Sequence, residues 1–200
     1  MSLANELFDC FLIYLSSCDI VQSLHGINEI LNLLIYCFID QIDVSTKKEQ
    51  WLNNYLLSFK AFITKIKFDH SQIQILFPTR TLIYEYPCLL SMIWTYQGGV
   101  NDDICISYLN IFKRKLLALS LKFNSYENDI IYKNIASVLL KDDSLIKSLT
   151  LEDNNHNNHS FVWFSLEPNI LQLNEYLEEL TINLRYVHYL FLVLRNLSKL

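Results

Sequence analysis

The residues best suited to metal chemistry come together once, at Glu152, Asp153, His156 and His159. A structural zinc site needs ligands held at tetrahedral angles by paired Cys-x-x-Cys knuckles or by one helix face. Here the histidines stand in Asn154-Asn155-His156-Asn157-Asn158-His159. The composition of residues 150–160 predicts a flexible, solvated loop, so no metal site is expected. Carboxylates adjoin at Asp102-Asp103, Asp142-Asp143 and Glu178-Glu179. Neighbouring residues on a helix do not converge on one point as a catalytic acid pair must, and the first two pairs fit the starts of helices. His188 lies in an apolar stretch and reads as a core or boundary histidine. Gly98-Gly99 is followed by neither a further glycine motif nor Lys-Ser/Thr, so it reads as a helix stop and not as a phosphate cradle. No catalytic residue, cofactor or metal site is therefore expected.

Basic residues gather at Lys113-Arg114-Lys115 with Lys122, and at Lys60, Lys65 and Lys67. Each group is expected on the polar side of an amphipathic helix. The net charge of −5 divides into −3 for residues 1–100 and −2 for residues 101–200, so neither half is a polyanion receptor by bulk charge, and nucleic acid is an unlikely partner. Trp51, Trp94 and Trp163 read as core anchors and not as base-stacking platforms. The five cysteines, Cys10, Cys18, Cys37, Cys88 and Cys105, are odd in number and sit in apolar runs. That pattern fits reduced core residues of an intracellular protein, cytoplasmic or nuclear, better than a disulfide framework.

The elements that must hold these residues are read from apolar spacing. With 52% hydrophobic and 18% charged residues in a chain of 200, a buried core is expected, and 3 Gly and 3 Pro are too few for a loop-rich all-β protein. No apolar stretch of about 20 residues escapes interruption, so no transmembrane segment is expected. Steps of three and four predict helices over residues 3–15, 20–26, 27–42 and 46–66, the last opened by a Thr46/Glu49 capping box. Between Asp69 and Pro87, alternation at Ile73, Ile75 and Phe77 with Pro78 and Pro87 following suggests a short strand or irregular turn. Further helices are predicted over 88–96, 101–123, 127–139 and 142–149, and from Pro168 to the end, where Leu173, Leu177, Leu180 and Leu184 trace a heptad seam. No repeat of about 40 residues is evident. The whole reads as one all-α domain, 1–200, of seven to nine amphipathic helices in an irregular bundle or stack. The periodicity is unspent at Lys199-Leu200, as expected of a fragment of a longer helical protein.

Within the last predicted helix, Leu192-Val193-Leu194-Arg195-Asn196-Leu197-Ser198 resembles the closing helix of an armadillo-type repeat, with its phrase L-x-x-L-x-N-L-S/A. The resemblance implies an armadillo/HEAT-like helical scaffold, of the ataxin-10-like kind, that binds proteins through a curved surface. The expected function is that of a non-enzymatic intracellular protein-interaction scaffold or a subunit of a larger complex. Two alternatives are an α-helical binder of an apolar ligand or lipid, and a nucleic-acid-associated subunit using Lys113 to Lys122.

Overall fold

The computed structural model describes residues 10, 12–36, 39–97, 102–124, 134–135, 137–140, 143–153 and 176–182. The chain divides into two units, Met1–Leu89 and Leu90–Leu200. Six parallel strands among the described residues replace the expected all-α bundle: the fold is α/β, and no armadillo or HEAT-type helical repeat is present among them.

In the first unit, α1 (Ser17–Leu24) begins at Ser16, whose side chain accepts a hydrogen bond from the Asp19 amide, and α2 (Glu29–Tyr36) follows a turn in which Gly26 takes φ +83°. Strand β1 (Gln41–Asp43) comes next. A helical run, α3, is built from Glu49–Trp51, a π-helical turn Leu52–Leu56, and Leu57–Phe59. It leads into β2 (Lys65–Asp69), which pairs in parallel with β1. Short helical turns close the unit: His70–Gln72, α4 (Ile73–Leu76) and Arg80–Glu85. The expected helices over 27–42 and 46–66 thus each give way to a strand at their C-terminal end. Thr46 does not cap α3, whose N-cap is Lys48 with no side-chain bond.

The second unit holds a four-stranded parallel sheet in the order β3-β4-β5-β6. Its strands are β3 (Ser91–Tyr96), β4 (Ala118–Phe123), β5 (Ser148–Asp153) and β6 (Glu179–Ile182), with α5 (Asp102–Phe112) crossing from β3 to β4. The predicted helix 88–96 is therefore strand β3, and 101–123 is a helix, a turn and strand β4. Part of the predicted loop 150–160 lies in β5, and part of the final predicted helix lies in β6. The armadillo-like phrase 192–198 and most of the heptad seam fall outside the described residues.

Each strand carries the same phrase, an apolar residue, two of any type, an apolar residue, one of any type and another apolar residue. It reads Ile39/Ile42/Val44, Ile63/Ile66/Phe68, Leu89/Met92/Trp94, Leu116/Leu119/Leu121, Ile146/Leu149/Leu151 and Leu177/Leu180/Ile182, at intervals of 24 to 31 residues. All residues of the first five phrases are at most 3% exposed. The first step of three looks helical, but the following step of two belongs to a strand, because alternate strand residues share a face.

One backbone detail repeats with the phrase. The carbonyls of Asp40, Leu90, Leu117 and Lys147, always its second residue, each accept two amides from the next phrase. Thr64 and Lys65 donate to Asp40 at 2.7 and 2.9 Å, and Lys147 and Ser148 to Leu117 at 2.8 and 3.0 Å. This shared acceptor sets the parallel register at the mouths of β2, β4, β5 and β6.

Aromatic rings fill the interior beneath the strands. Trp94 meets Phe112 of α5 edge-on, with ring centroids 6.3 Å apart, and Phe77 lies 5.5 Å from Tyr86 in the first unit. The Tyr86 hydroxyl is buried with no acceptor among the described residues, and burial pushes its ionisation above the usual tyrosine range.

Leu119→Ala and Leu121→Ala are each expected to cost about 2–5 kcal/mol by emptying buried sites. Ser120→Ala between them should change stability by less than about 0.5 kcal/mol. Urea titration checks this period of two, which a helix cannot produce, because it turns residues two apart to nearly opposite sides. In the same titration Tyr86→Phe should be neutral or stabilise by about 1 kcal/mol, since it removes an unpaired buried hydroxyl.

Candidate functional site

A strand buried on one face presents its alternate residues on the other. In the second unit the core side takes Met92, Trp94 and Tyr96 of β3, Leu119, Leu121 and Phe123 of β4, and Leu149 and Leu151 of β5. The opposite side carries three rows in register across the strands: Ser91, Ala118, Ser148 and Glu179; then Ile93, Ser120, Thr150 and Thr181; then Thr95, Lys122 and Glu152. These outward residues are half-buried or exposed. Sequential parallel strands with crossovers of one hand receive those crossovers on one side, which leaves the other side open.

The open rows are built of short hydroxylated side chains and paired charges. Lys122 reaches Glu152 of the adjacent strand at 2.8 Å, and the Ser148 hydroxyl donates to the Glu179 carboxylate at 3.0 Å. At the strand entrances, Lys147 pairs with Glu178 at 2.6 Å. The first unit repeats the arrangement on its own outward positions, where Gln41 stands beside Lys65 and Lys67 pairs with Asp43 at 2.6 Å. Partial burial works against ionisation of Asp43, but the hydrogen bonds from Lys67 and Ser45 prevail and hold its carboxyl below the ordinary range.

The basic cluster expected on a solvated helix face is dispersed. Lys113 is 1% exposed, just beyond α5, and its ammonium donates to the Val138 carbonyl at 3.2 Å and to the Asp143 carboxylate. Arg114 binds the other oxygen of Asp143 through Nε at 3.1 Å and Nη2 at 2.8 Å. Asp143 therefore ties the end of α5 to the approach of β5 and is not the helix cap expected of it. The hydrogen bonds from Lys113 and then Arg114 hold its carboxyl below the usual range. Lys122 lies on the open sheet face, Lys60 pairs with Glu85, and Lys65 and Lys67 lie on β2. Among the described residues these side chains form no continuous basic stripe.

Of the four residues weighed as metal ligands and expected to hold none, Glu152 is the partner of Lys122 on β5, while His156 and His159 fall outside the described residues, as do His188, Gly98, Gly99, Asp142, Trp163 and Cys37. Among the described residues no group of three metal-ligating side chains occurs. Asp103 lies at the exposed start of α5, and Trp51 and Trp94 are buried. The cysteines divide, with Cys18 and Cys105 buried and Cys10 and Cys88 exposed, contrary to a core role for all five. The Cys18 thiol donates to the Asp43 carbonyl at 3.1 Å, and burial raises its pKa to about 11. It is a structural thiol and a poor nucleophile at neutral pH. No helix among the described residues is long and apolar enough to cross a membrane.

The outward rows went unrecognised in the sequence because their residue types are ordinary. The signal that marks them is indirect: they are the variable positions inside the recurring apolar phrase. Comparison with protein-family models, with curated proteins and with solved structures finds no match.

Asp143→Asn leaves the buried Lys113 ammonium without its charged acceptor and is expected to cost about 1–3 kcal/mol at neutral pH. Because the folded carboxyl titrates below its unfolded value, its contribution is complete above about pH 4 and is lost as the pH falls through the folded pKa. Urea midpoints of wild type and variant should differ at pH 6 and converge towards pH 3.

Proposed function

We propose that this chain is a non-enzymatic protein-interaction module, a subunit of a larger complex that receives a protein partner on the open face of β3 to β6. The observation that carries this reading is the outward face of the parallel sheet, whose residues are half-buried or exposed and which no element covers among the described residues. Parallel sheets in α/β folds are ordinarily covered on both sides, whereas strand-and-helix repeats stacked in sequence keep one strand face for binding. The recurring phrase agrees with this, since apolar-x-x-apolar-x-apolar at 24 to 31 residues corresponds to the strand segment of a leucine-rich repeat. Asn124 and Asn154 stand where that pattern places its asparagine. Short Ser and Thr side chains on a rigid backbone let a partner approach closely, and the ion pairs at the strand ends supply polar specificity.

A second observation supports membership of a complex. In the first unit, exposed large apolar residues concentrate around α1 and α2: Ile13, Tyr14, Leu15, Ile27, Ile30 and Leu33, with Tyr14 84% and Ile30 78% exposed. Exposed apolar residues in this number suit a second protein contact.

The test replaces Ser120 and Thr150 by arginine, two outward positions paired across β4 and β5. Affinity purification from native extract is expected to recover a stoichiometric partner with the wild type and to lose it with Ser120→Arg/Thr150→Arg at an unchanged melting temperature. Equal recovery by both proteins, or turnover of a metabolite by the purified chain, would overturn the reading.

A further inference from the structure

A separate feature of the first unit is the pocket of about 380 Å³ at the start of α3, lined by Thr46, Lys47, Lys48, Gln50, Trp51, Asn54 and Tyr55. Its frame is rigid. Gln72, 4% exposed, donates from Nε2 to the carbonyls of Val44 at 2.5 Å and Lys47 at 2.7 Å, while its Oε1 accepts the Asp69 amide at 3.0 Å. That pins the loop entering the pocket to the end of β2. On the other side lies the π-helical turn Leu52–Leu56, a widened backbone form that concentrates at functional sites.

The lining holds two lysines and no carboxylate. Lys47 leans over the Trp51 ring, 5.7 Å from its centroid, and meets Asp19 at 3.6 Å. Lys48 is exposed and has no carboxylate partner among the described residues. Thr46, Gln50, Asn54 and Tyr55 add hydrogen-bonding groups. Trp51, 9% exposed, lies 5.3 Å from the Tyr55 ring, and its indole N–H is buried with no acceptor among the described residues.

The shape and charge limit the occupant. Thr46, Lys48, Gln50 and Asn54 are all exposed, so the pocket is too open to enclose most of a small molecule in the way small-molecule sites do. Two lysines, one of them already facing Asp19, make too few phosphate contacts for a nucleic acid. An acidic side chain with an apolar neighbour, projecting from a protein segment, matches both the lysines and the aromatic floor.

We infer that the Lys47, Lys48 and Trp51 pocket is a docking site for an acidic segment of a protein partner, with Lys48 receiving the carboxylate and the half-buried Tyr55 ring, backed by Trp51, receiving the adjoining apolar group. The inference does not rest on the sheet-face reading.

The experiment follows the indole N–H resonances of the full chain by ¹H–¹⁵N NMR, with Trp51→Phe assigning the Trp51 signal. The probes are N-acetyl-Glu-Leu-Glu-amide, its Gln-Leu-Gln isostere and inorganic phosphate. The acidic peptide is expected to move the Trp51 resonance in a saturable way while leaving that of Trp94 in place, and Lys48→Ala is expected to weaken its binding about tenfold. The Gln isostere and phosphate should leave the resonance unmoved. Absence of a shift at millimolar peptide, an equal shift from the isostere, or saturation by phosphate alone would overturn the inference. Unchanged amide resonances of β1 and β2 in Lys48→Ala show that the first unit of the variant is folded. Because no sheet residue is altered, failure here is distinguishable from failure of the strand-face reading.

Discussion

Burial of three apolar side chains in a spacing of three then two is the constraint on which the strands depend. It sends one residue in two of each strand into the core and turns the alternate ones outward. A slip of one residue would exchange the two sets and place Leu119 and Leu121 in water. The carbonyl at the second position of the phrase then sets the register, taking two amides from the next phrase in both units.

The same constraint produces the candidate docking face. In the second unit, α5 joins the core side through the Trp94 and Phe112 rings, and among the described residues the other side carries the strands' own outward side chains. Apart from Ile93 these are small or polar. Function in this reading follows from geometry, since hydroxyls and ion pairs are held at strand spacing on a backbone that the core beneath makes rigid.

Buried polar groups mark where the elements are tied together. Lys113 would be costly in the core without the Asp143 carboxylate and the Val138 carbonyl, and with them it joins the end of α5 to the approach of β5. Gln72 does comparable work in the first unit with neutral groups, clasping the loop that leads into α3. Both are single residues answering backbone carbonyls distant in sequence. Neither role is visible from neighbouring residues: Lys113 resembles a solvated helix lysine, and Gln72 resembles a surface glutamine.

Several local features were legible from the chain alone. They include the apolar identity of the core, the helical character of the residues around Trp51 and Leu56, and burial of Trp51 and Trp94. The strands were not, because a step of three between apolar residues serves a helix as well as the entrance to a strand. Leu116 and Leu119 continue the rhythm of Ile111 and Phe112 across a turn that contains no glycine or proline. The candidate face was hidden for a related reason, since Ser120, Thr150 and Thr181 acquire meaning only when adjacent strands bring them abreast. Composition and spacing determined which side chains leave water. Parallel pairing between segments some 30 residues apart decided which side chains remain exposed together, because that choice depends on hydrogen bonds that no local stretch of sequence contains.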